Sequence, residues 1–135
     1  FYWQGEELVF EPHKNHLRIA ALRAALAAKA TLDLKEILAT HPGQVIGGPS
    51  IRVAGYYAQL WALSLFLQEN PTYKARFAKL LADLGSQRMI EQAAAAGFTG
   101  RAADYGPAIF RAYISNDVAT VDKDFRAYCM KLAGF

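Results

Sequence analysis

Apolar residues recur at helical spacing through most of the chain. In HKNHLRIAALRAALAAKA, Leu17, Ile19, Ala20, Leu22 and Leu26 stand among strong helix formers, and Pro12 suits a first turn, which predicts a helix to about Ala30. Asp33 and Glu36 have capping-box spacing, opening a short helix that His41-Pro42-Gly43 ends. HPGQVIGGPSIRVAG gathers two prolines and four glycines, so it predicts a long loop with a brief extended piece at Ile51-Arg52-Val53. From Tyr56 to Leu67, YYAQLWALSLFL is apolar on nearly every face, the pattern of a central helix covered by its neighbours.

Further along, Asn70-Pro71 introduces PTYKARFAKLLADLG, whose Tyr73, Phe77, Leu80, Leu81 and Leu84 form one stripe before Gly85. Ser86 caps QRMIEQAAAA, which stops at Gly97; Gly100 and Gly106-Pro107 bracket a turn before AIFRAYIS. Asn116-Asp117 precedes a last helix with Val118, Val121, Phe125, Tyr128 and Leu132 in register. The expected fold is all-α, an orthogonal bundle of about six or seven helices with one long Gly/Pro loop and no secure strand, in a single domain over residues 1–135.

Composition narrows the functions. The net charge of +3 comes from 15 basic and 12 acidic residues scattered along the chain, with no basic run to track a phosphate backbone, so nucleic acid is not an expected partner. No apolar run approaches the roughly 20 residues of a membrane span, so a membrane is not expected either. Cys129 is the sole cysteine and reads as a small buried hydrophobe, and the compartment stays open. The chain starts at Phe1 rather than Met, which suggests the C-terminal part of a longer protein whose N-terminal remainder is its partner.

The candidate chemistry lies mostly near the start. Glu6, Glu7 and Glu11 follow Trp3, and carboxylates can ligate zinc or act as bases, although acids also favour a solvated helix start. His13 and His16 share a helical face near Glu11, a weaker pattern than His-Glu-x-x-His and one that surface histidines often show; His41 reads as a loop residue. On the central helix, Tyr56, Tyr57, Gln59, Ser64 and Gln68 bring polar groups onto apolar faces. A Tyr57 hydroxyl beside the glycine loop could donate to a substrate carbonyl, or simply be a core tyrosine with its tip at the rim.

Together these stretches resemble a known family. Trp3-x-x-Glu6, a helix with Arg18 and Leu22, LDLKEILAT, a glycine-rich loop, YYAQLWALSLFLQE, YKARFAKLLADL and FRAYISNDVATVDKDFRAYCMKL follow in the order of the C-terminal half of bacterial gluzincin-like proteins, the peptidase-MA-like zinc metallopeptidase homologues. In that family a His-Glu-x-x-His helix supplies two zinc ligands and the catalytic Glu, and a later Trp-x-x-Glu-Gly supplies the third ligand. The resemblance therefore implies Glu6 as a metal ligand with Trp3 packed beneath it, Tyr57 as a catalytic candidate, zinc in the full-length parent and peptide as substrate. Glu7 stands where the family has Gly, and residues Leu8 to Pro12 depart from its pattern. No His-Glu-x-x-His occurs in the 135 residues, so the isolated chain is expected to be inactive and metal-free. The competing expectation is a non-catalytic all-α module that binds a peptide or partner beside the glycine loop.

Overall fold

Residues 2–9 and 11–135 are described by a computed structural model, excepting the side chains of residues 2, 3, 7–9 and 42. Helices build the body, and seven α-helices are present among the described residues: α1 (His16–Ala27), α2 (Leu34–Ala39), α3 (Ser50–Glu69), α4 (Lys74–Asp83), α5 (Gln87–Ala95), α6 (Ala102–Tyr113) and α7 (Val118–Leu132). The expected all-α bundle is thus observed.

One short hairpin precedes the bundle, where no strand was expected. Strands β1 (Tyr2–Gln4) and β2 (Glu7–Val9) pair antiparallel, with Trp3 opposite Leu8 and Gln4 opposite Glu7. Gly5 takes φ +65°, a left-handed conformation open to glycine, and so allows the two-residue turn. Glu6 accordingly lies on a hairpin turn rather than at a helix start. A 3-10 turn at Pro12–Lys14 follows, and α1 begins only at His16, where Asn15 Oδ1 accepts from the Arg18 N–H at 3.2 Å.

Local capping signals set several boundaries. Asp33 and Glu36 form the reciprocal capping box of α2, Ser86 caps α5, and Asp117 caps α7. Two glycine readings need correction, both for tertiary reasons. The loop before α3 ends at Pro49, so Ile51-Arg52-Val53 and Gly55 are helical; a Cβ on Gly55 would stand 2.7 Å from the Ala25 Cβ, which makes glycine the residue that lets α1 lie against α3. Likewise, Gly106-Pro107 is no turn but the interior of α6, because a Cβ on Gly106 would come within 2.3 Å of the Leu38 carbonyl oxygen and α2 packs there.

The core runs along α3. Leu22 of α1 shares the core cluster with Ala58 and Ala62 of α3, while Phe66 is enclosed by the rings of Tyr73, Phe125 and Tyr128 at centroid distances of 5.8, 5.6 and 5.5 Å. Burying an aromatic of this kind is worth about 1.5–3 kcal/mol, enough for one such cluster to fix where α3, α4 and α7 meet. The stripe expected on α4 is only partly covered: Tyr73 is buried and Phe77 and Leu80 half-buried, but Leu81 and Leu84 are 46% and 60% exposed.

Candidate functional site

The end of α3 places Glu69 where three separate parts of the chain converge. Its Oε1 lies 2.5 Å from His13 Nε2 on the Pro12–Lys14 turn, and its Oε2 accepts from the Tyr128 hydroxyl of α7 at 2.8 Å. One carboxylate thus joins the turn after the hairpin to α3 and α7, the two longest helices. Burial, reinforced by the Glu69 hydrogen bond and charge, pushes the Tyr128 hydroxyl well above its usual pKa, so it is a donor and not a base at neutral pH.

Two cavities meet at Glu69. One, of about 340 Å³, is lined by His13, Ile19, Glu69, Tyr128, Lys131 and Leu132. The other, of about 390 Å³, has apolar walls from Pro12, Leu65, Phe77, Ala78 and Leu81, with Gln68, Glu69 and Lys74 as its polar members. Each falls in the ordinary size range of small-ligand sites, about 300–1,000 Å³. Chemically, the arrangement offers apolar walls, a carboxylate already held on both oxygens, and one lysine lining each cavity. Among the described residues it brings together one histidine, one carboxylate and one tyrosine hydroxyl, with no serine or cysteine lining either cavity.

Of the residues singled out from sequence, His13 lies at this junction and the others fall elsewhere. Glu6 is exposed on the hairpin turn. Trp3 packing beneath it concerns a side chain outside the described ones. Tyr57 is half-buried, edge-on to Tyr56 at 5.4 Å, with the Arg18 guanidinium 5.9 Å above its ring. His13 and His16 do not form a pair: His13 turns to Glu69, whereas His16 is exposed at the start of α1. His41 Nδ1 accepts from the Gly43 N–H at 3.0 Å, a local turn contact. On α3, Gln59 is 4% exposed, accepting from Leu32 N–H at 3.0 Å and donating to Leu32 C=O at 2.8 Å, while Gln68 donates to Ser64 Oγ at 3.3 Å. These are structural bonds. Beside the glycine loop a smaller cavity of about 260 Å³ is lined by Leu32, Thr40, Val45, Arg52 and Tyr56 among others.

Glu6 is the one residue of this chain that the resemblance offers to zinc. Among the described residues no three His, Cys, Asp or Glu side chains are grouped to hold a metal ion, so these residues do not by themselves fit a zinc centre. Among the same residues no helix is long and apolar enough to cross a membrane. Comparison with protein-family models finds no match to this chain, and comparison with curated proteins and with solved structures finds none either.

Proposed function

We propose that this chain is a helical peptide-binding module whose groove is the pair of cavities meeting at Glu69. The observation that carries this reading is the His13–Glu69–Tyr128 junction: it stands where the two cavities meet and satisfies the one carboxylate that lines them among the described residues, leaving Lys131 in one cavity and Lys74 in the other as the flexible cations. Apolar walls with a cation in each cavity suit a short extended segment with an apolar side chain flanked by acidic residues. Enrichment of a random octapeptide library on the purified chain tests it. Peptides of that composition should be retained, and Leu81→Asp, at an exposed groove position, should weaken them about tenfold, which corresponds to about 1.4 kcal/mol. Equal retention by the variant, or no enrichment, overturns the reading.

A second reading rests on the hairpin. It presents Glu6 exposed and runs on toward the Pro12–Lys14 turn that borders the groove. In a peptidase-like parent of the kind the resemblance implies, this chain would supply the third zinc ligand and a wall of the cleft, with two further ligands from the N-terminal remainder. Zinc analysis of the full-length gene product and its Glu6→Gln variant separates the two. Stoichiometric zinc lost in the variant supports the peptidase-like parent, whereas no zinc in either protein leaves the binding module alone.

A further inference from the structure

A separate cavity, of about 400 Å³, lies between α4, α5 and the end of α6, and its lining includes Arg76, Lys79, Gln92, Arg111, Ser115 and Asn116. Among the described residues its lining holds three cations and no carboxylate. Among the described residues, none of the three enters an ion pair. Two of the nearby acids have partners of their own: Asp83 accepts from the Tyr113 hydroxyl at 2.8 Å, and Asp117 caps α7 through Thr120; Asp124 lies near Tyr73 as Arg76 does, but does not line the cavity.

Two of the cations are held in place. Arg76 Nη1 donates to Ile114 C=O at 2.8 Å, and Arg111 Nη2 donates to Ala96 C=O at 2.9 Å. Each bond uses one of a guanidinium's five N–H donors and fixes the plane of the others, reducing the entropy lost when the fork engages an anion. Lys79 stands one helical turn from Arg76 on α4 and adds a mobile point charge. Gathering like charges around a concavity is unfavourable unless an anion offsets their repulsion, and tetrahedral oxyanions match the guanidinium fork.

We propose that this cavity binds a phosphate-bearing small molecule, with Arg76 and Arg111 as orienting forks and Lys79 as the third cation. Titration calorimetry of the chain with inorganic pyrophosphate tests this at physiological ionic strength. Saturable one-to-one binding is expected, weakened about tenfold by Arg76→Gln and by Lys79→Gln, and unchanged by Lys35→Gln on α2. Among the described residues the Lys79 side chain makes no hydrogen bond or ion pair, so its variant keeps the test valid even if Arg76→Gln loosens the α6 end. No saturable heat at millimolar pyrophosphate, or an equal loss from Lys35→Gln, overturns the site.

Discussion

The Tyr128 hydroxyl donates to Glu69 Oε2 at 2.8 Å, joining α7 to the last residue of α3 across 59 positions of sequence. Because the acceptor is a carboxylate but the pair is partly exposed, its net worth sits near the middle of the usual range for hydrogen bonds. Tyr128→Phe should therefore lower unfolding stability by about 1 kcal/mol, read from urea titrations. An unchanged midpoint would mean that the junction does not constrain the groove.

Gly106 offers a test of sign. In an unhindered helix interior, Gly→Ala stabilises by up to about 1 kcal/mol. Here the new Cβ would fall 2.3 Å from the Leu38 carbonyl oxygen, so α2 or α6 must shift and overpacking wins. Gly106→Ala should destabilise by about 1–3 kcal/mol in thermal unfolding; a gain in stability would refute the close contact of α2 with α6.

Gln59 behaves like a piece of strand inserted into a helix, since its amide both donates to and accepts from the Leu32 backbone. Gln59→Leu keeps the volume but strips both partners, leaving a peptide N–H and C=O unpaired at a part-buried position. A loss on the order of 2 kcal/mol is expected by chemical denaturation. Restoration by Gln59→Glu is not expected, because a carboxylate cannot donate to the Leu32 carbonyl.

Alkaline pH should unfold the protein through its buried acids. Burial, with a smaller contribution from the Asp122 charge, lifts the Cys129 thiol from 9.0 to about 12. The folded state then keeps a proton that the unfolded chain releases, so this stabilisation is complete below pH 9 and is lost as pH rises toward 12. Burial raises Tyr56, Tyr73 and Tyr128 in the same sense, above their ordinary 10.0. Denaturation midpoints should fall across this window, less steeply in Cys129→Ala. A thiol reagent at pH 8 should label Cys129 only at the rate of opening; rapid labelling of the native chain would contradict its burial.

What was legible in the sequence was what local spacing encodes. The Asp33–Glu36 box and the Ser86 cap act over three residues, so these helix starts stand where expected, and the apolar run Tyr56–Leu67 is indeed covered helix, although α3 begins earlier, at Ser50. Gly55 and Gly106-Pro107 read as breaks in the sequence because glycine and proline break isolated helices, whereas in the fold a neighbouring side chain at Gly55 and a neighbouring backbone at Gly106 leave no room for a Cβ. The groove was not legible at all. His13 was weighed against His16, its neighbour in sequence, yet its partner Glu69 lies 56 residues away. The polar tip of Tyr128 on an otherwise apolar stripe was the only local hint, and helical spacing could not say what that tip would meet.

An amide chemical-shift map of the isotopically labelled chain, titrated with an enriched octapeptide, tests the groove most directly. Shifts should concentrate at residues 12–19, at 65–69, along the Lys74–Leu81 part of α4, and at 128–132, surrounding Glu69. Shifts centred instead on residues 32–56 beside the glycine loop, or no saturable shifts anywhere, would contradict a peptide site built on the His13–Glu69–Tyr128 junction.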